Sequence, residues 1–186
     1  MLPIATITNS NLKNNKMKNI ILSAITMAFV MVSVNAQTKK VPTKFSIDKI
    51  VTDYLALKNA LTKDDSKATA KAGKTLYATL NAVKTNTIDA KQKKTYLDIS
   101  ESAKENAEHI GDNAGKIDHQ REHFVLLSKD INDLIKLFGT KQKLYQDYCP
   151  MANEGKGAIW ISEVKDIKNP YYGSKMLTCG SIKKTL

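Results

Sequence analysis

Between residues 46 and 138 the apolar positions recur every three or four residues, the period of a helix that buries one face. In the first stretch Ile47, Ile50, Val51, Tyr54, Leu55 and Leu61 form the stripe. Ser46 stands where a cap belongs, and Asp48 suits the positive end of the helix dipole. Asp64-Asp65-Ser66 breaks this helix and caps a second, running to about Lys84 with Ala68, Ala72, Leu76, Leu80 and Val83 inward. Ala68, Ala70, Ala72 and Gly73 are small enough to let a neighbouring backbone come close. After Asn86-Thr87 a third helix spans Ile88 to Ile110, with Tyr96, Leu97, Ser100, Ala103, Ala107 and Ile110 inward and Gly111 as its terminating glycine. A fourth starts behind Asp118 as N-cap, carries Phe124, Leu127, Ile131, Leu134, Ile135 and Phe138, and ends at Gly139. Four helices with short connections predict a mainly α protein built as an antiparallel four-helix bundle.

Past Gly139 the period is lost. Leu144, Tyr145 and Tyr148 fit a helix or a short strand equally well, and Ala158-Ile159-Trp160-Ile161 is a short apolar run. Asn153 to Gly157 reads as a loop, and Asn169-Pro170 opens a turn. The expectation is an irregular C-terminal cap over residues 141–186, with room for a small β-hairpin. It would pack on the helices through Trp160, Ile167 and the tyrosines.

The N-terminal stretch has a different plan. Lys18 precedes an apolar run from Ile20 to Val34, and Val34-Asn35-Ala36 has the small-residue form of a signal peptidase site. A run of about 15 residues is short of the roughly 20 that a spanning helix needs. Residues 1–36 therefore read as a signal peptide cleaved after Ala36, or 17–36 if Met17 is the true start. Residues 37–44 form a polar tether, and 45–186 a single helical domain. The mature chain would carry no transmembrane span, and its expected location is the periplasm.

Charge narrows the partners. The net charge is +11 with one arginine, Arg121; losing residues 1–36 removes three lysines and no acid, leaving +8. Nucleic-acid readers favour arginine and clustered basic patches. Lysines scattered along helices, in an exported chain, exclude nucleic acid and fit a solvated surface.

The unusual chemistry lies in the cap, which holds both cysteines and the only tryptophan. Cys149-Pro150-Met151 and Met176-Leu177-Thr178-Cys179 each set a thiol two or three residues from a thioether. If the segments meet, Cys149, Met151, Met176 and Cys179 offer four soft donors, a set that selects Cu(I) and Ag(I). His119 and His123, four apart on one helical face, can add nitrogen; His109 stands less well placed. A structural Cys149–Cys179 disulfide is the competing reading, and composition alone favours it in an oxidising compartment. Met151 and Met176 would then be fillers and the aromatics simple packing. An enzyme is not expected. Cys149 with His119 or His123 as base lacks an orienting carboxylate, and no phosphate loop, nucleophile elbow or zincin helix is present.

At these residues the chain resembles the domain of unknown function numbered 3347. The motifs that carry the resemblance are Cys149-Pro150-Met151-Ala152, Gly157-Ala158-x-Trp160, Asn169-Pro170-Tyr171-Tyr172-Gly173 and Met176-x-x-Cys179-Gly180. Upstream, Gln120-Arg121-Glu122-His123-Phe124 and Leu127-Ser128 also fit. Tyr172 departs from the phenylalanine expected there. The resemblance implies an exported helical domain, stand-alone or fused to adaptor subunits of heavy-metal efflux pumps, and hence copper or silver handling with such an adaptor as partner. It tips the balance from the disulfide towards a Cu(I) site.

Overall fold

A computed structural model describes residues 45–186; the signal peptide and tether read from the sequence lie outside the described residues. The protein is mainly helical, with a small antiparallel sheet at its C-terminal end. The helices are α1 (Asp48–Leu61), α2 (Ser66–Asn81), α3 (Ala90–Asp112) and α4 (Ile117–Phe138). Each packs along the next in sequence, whereas α4 approaches α1 and α2 more locally.

The predicted stripes are largely the core. Ile50, Val51, Tyr54, Leu61, Leu76, Leu80, Tyr96, Ala103, Ala107, Ile110, Phe124, Leu127, Ile131 and Leu134 are buried. Leu97 is not: it is 44% exposed. Tyr96 takes the inward place, edge-on to Phe45, and the next residue lies a further 100° round the helix. Ala68, in the first turn of α2, is exposed as well.

Helix ends follow their chemistry, with three departures. The Ser46 hydroxyl accepts the Asp48 N–H at 3.1 Å, and the Asp65 carboxylate accepts the Ala68 N–H at 2.8 Å. Gly139, at φ +73°, closes α4. However, Asp118 sits inside the first turn of α4 rather than capping it. Asp89 caps α3, which starts two residues later than expected. Gly111 does not end α3; it lies within the helix, buried against α2. A Cβ on Gly73 would stand 2.9 Å from the Ala107 carbonyl oxygen and 2.9 Å from the Gly111 nitrogen. The two glycines let the α2 and α3 backbones nearly touch.

The cap is more regular than its sequence suggests. Strands β1 (Tyr145–Cys149), β2 (Ala158–Ser162) and β3 (Ser181–Thr185) form an antiparallel sheet in the order β2-β1-β3. β1 and β2 make the expected hairpin, pairing from Tyr145–Ser162 to Cys149–Ala158. β3 is the unexpected member, every residue of it exposed. Alternation along β1 turns Tyr145, Asp147 and Cys149 inward. Trp160, fully buried on β2, meets Tyr171 edge-on at 6.0 Å, and Tyr171 meets Phe124 of α4 at 5.7 Å. Tyr54 stacks on Phe124, and its hydroxyl accepts the Ile161 N–H at 3.1 Å. These rings join the sheet to the helices.

Candidate functional site

Two groups of side chains of metal-ligand type form, in different parts of the fold. The first is sulfur. Cys149 is the last residue of β1 and fully buried; Cys179 lies two residues before β3 and is half-buried. Because β3 pairs with β1, the chain leading into β3 passes the end of β1, and the two Sγ atoms stand 3.4 Å apart. That separation describes two thiols; a disulfide would place the sulfurs near 2.05 Å. The Cys149 thiol beside Cys179, with a smaller part from burial, raises the pKa of Cys179.

Met151 joins this pair. Its thioether lies 4.0 Å from Cys179 Sγ, and its side chain is 51% exposed, so the sulfurs open to solvent on that side. The Tyr172 hydroxyl donates to the Met151 carbonyl at 2.7 Å and holds this turn. Met176 lies on the turn before Cys179: its N–H donates to the Gly173 carbonyl, and its carbonyl accepts the Cys179 N–H at 3.1 Å. The structure brings Cys149, Cys179 and Met151 together.

The Asn-Pro-Tyr segment is the support for Cys179. Asn169 is fully buried; its side-chain amide donates to the Cys179 carbonyl at 2.7 Å, and its Oδ1 accepts the Tyr171 N–H at 2.8 Å. Gly180, at φ +139°, lets the chain turn where a Cβ would press within 2.8 Å of the Trp160 ring. Arg121 then ties this segment to the helices. Its guanidinium is buried and donates to the Pro170 carbonyl at 3.0 Å, the Leu61 carbonyl at 3.3 Å and Asp64 at 2.5 Å. Bonds from Ser174 and Arg121 hold the Asp64 carboxyl down at about 2.

One buried group near the thiols went unassigned in the sequence. Asp147 shares the inward face of β1 with Cys149 and pairs across the sheet with Trp160. It is fully buried, and among the described residues neither carboxylate oxygen has a hydrogen-bond partner. Burial pushes its pKa up to about 6, against the pull of Lys58. Lys58 is itself engaged with Glu163, at 2.8 Å.

The second group is nitrogen. His109 near the end of α3 and His119 and His123 at the start of α4 have ligand atoms all within 4.8 Å of one another. The His109 and His123 rings stack with centroids 4.5 Å apart, and His119 meets His123 edge-on at 4.7 Å. Burial, together with the two neighbouring imidazoles, lowers the pKa of His123. Neither cysteine belongs to this group. His109, set aside on sequence grounds, is thus a full member, because the short link between α3 and α4 folds the two ends together.

The comparisons bear on the helices. Residues 50–143 match the family described as protein of unknown function, DUF3347. The chain belongs to this family. The DUF3347 match includes Arg121 and all three histidines and ends before β1, so Cys149, Met151, Met176 and Cys179 lie outside the matched residues. Searches of curated proteins and of solved structures return no match. Among the described residues no helix is long and apolar enough to cross a membrane.

Proposed function

We propose that this DUF3347 protein is an exported, periplasmic soft-metal binder that holds Cu(I), or Ag(I), on Cys149, Cys179 and Met151. The observation that carries the reading is the meeting of two thiols at 3.4 Å with a thioether 4.0 Å from one of them. A thioether beside two thiolates makes a soft donor set that suits a monovalent soft ion. Two thiolates bind such an ion in a nearly linear or, with Met151, three-coordinate arrangement. The half-exposed Met151 gives the ion a way in and out. Met176, on the same segment as Cys179, is the remaining sulfur donor of this set. We read the four helices as an antiparallel bundle, on the ground of their short connections, and as the rigid base of this cap. A heavy-metal efflux adaptor is the partner this reading suggests.

The test is a Cu(I) titration of the reduced protein against a competing chelator, with Zn(II) as control. One tight Cu(I) equivalent is expected, lost in Cys149→Ser/Cys179→Ser while helical circular dichroism is kept. Unchanged Cu(I) affinity in that variant removes the site.

The second reading is a non-metal interaction module stapled by a Cys149–Cys179 disulfide. The same 3.4 Å separation favours it, since oxidation needs only a small approach of the two sulfurs. A thiol count on protein taken directly from the periplasm separates the two: no free thiol supports the staple.

A further inference from the structure

We propose that His109, His119 and His123 form a second metal site, separate from the thiols, that takes a borderline divalent cation such as Zn(II) or Cu(II). Three imidazoles meeting at one point are a donor set for such ions, whereas the soft monovalent ions prefer sulfur. Their ligand atoms already lie within 4.8 Å of one another. Bonds of about 2.0–2.1 Å to a tetrahedral ion would bring two nitrogens to roughly 3.4 Å, so each ring moves by an ångström or so.

The surroundings are those of a prepared site. A metal-binding imidazole commonly gives its other nitrogen to a carboxylate or carbonyl, which fixes ring and tautomer. Two of the three have such a partner. His119 Nδ1 lies 3.0 Å from Glu122 Oε2, and His123 Nδ1 lies 3.0 Å from Asn106 Oδ1. The orientation of Asn106 is set, because its amide nitrogen donates to the Ser102 carbonyl at 2.9 Å. Its Oδ1 must then accept from His123 Nδ1–H, which leaves Nε2 as the free donor. Asn106 is 4% exposed, so this orientation is held inside the α3–α4 contact. Buried Gln120 pins the start of α4 to the end of α3 by donating to the Ile110 carbonyl at 3.1 Å. Among the described residues the group has no fourth cysteine, histidine or carboxylate donor. A bound ion would keep one position for water or an incoming ligand.

The experiment titrates Zn(II) into the full chain, Cys149→Ser/Cys179→Ser, His109→Ala, His123→Ala and Asn106→Leu, and Cu(II), which free thiols would reduce, only into Cys149→Ser/Cys179→Ser and the same substitutions built on it. His109 is exposed, so its truncation leaves the core intact. The cysteine variant should keep one equivalent. Each histidine variant should weaken binding at least tenfold, and loss of the Asn106 carbonyl about tenfold or more. In the cysteine-free chain, bound Cu(II) should give nitrogen hyperfine structure in its electron paramagnetic resonance spectrum, diminished when His123→Ala is added. Divalent binding lost only in the cysteine variant would place the ion at the thiols and overturn the proposal. Binding unchanged in every variant would overturn it equally, as adventitious. The Cu(I) competition reports on the thiols independently, so either site can fail without the other.

Discussion

A carboxylate buried opposite Trp160, with no donor for either oxygen among the described residues, resists ionisation, and burial lifts the Asp147 pKa to about 6 against an ordinary 3.8. The folded state thus prefers the protonated acid. Its contribution to stability is complete below about pH 4 and is lost as pH rises through 6, up to about 3 kcal/mol in all. Asp147→Asn removes the titration. The stability of that variant relative to wild type should climb between pH 4 and pH 7 in urea denaturation; a pH-independent difference would show that Asp147 is solvated. Asp64 works in the opposite sense, stabilising above about pH 4 and losing that as pH falls towards 2. Little of this was legible in the sequence. Tyr-Gln-Asp-Tyr-Cys marks a polar residue two before a cysteine, and only strand alternation puts both on one buried face. The thiols were easier, being the only two.

At the scale of elements, the helices were readable because each buries a single stripe, and the terminating glycine of α4 fell where expected. Gly111 misled for a physical reason. Glycine serves both as a helix stop and as a point where two backbones touch, and a single chain does not say which. The contact makes a measurable difference between two alanines. Gly73→Ala gains helix propensity of about 1 kcal/mol but drives a Cβ to 2.9 Å from two backbone atoms of α3. Gly111→Ala meets Lys74 Cγ at 2.8 Å and a single tight backbone atom, the Lys74 nitrogen, at 3.1 Å. Chemical denaturation should find Gly73→Ala destabilising by about 2 kcal/mol or more, and Gly111→Ala milder. Equal effects would mean the helices can part freely there. β3 escaped the sequence because Ser-Ile-Lys-Lys-Thr has one apolar residue and no buried face to impose alternation. Its lysines suit an edge strand, where they discourage pairing with other chains.

For the molecule as a whole, the helices matched by the family carry the imidazoles, and the C-terminal sheet carries the thiols. Arg121, the one arginine, joins them by bonding the α1–α2 turn and the Asn-Pro segment from α4. Its helical pattern alone does not distinguish it from a solvated residue; only its being the one arginine, within the Gln120-Arg121-Glu122-His123-Phe124 motif, sets it apart. The placement of Cys179 has a further consequence for motion. β3 borders only β1, its pairing is irregular between Gln146 and Asp147, and no side chain of it is buried. Such a strand opens readily, and its amides should exchange with deuterium early. An ion or a disulfide joining residue 179 to the central strand would fasten the hinge from which β3 swings. Exchange at Ile182 to Thr185 should then slow markedly on Cu(I) loading and return when the ion is stripped. Exchange that ignored the ion would mean the two sulfurs do not share it. The strand with no buried side chain is thus where the occupancy of the buried thiol can be timed.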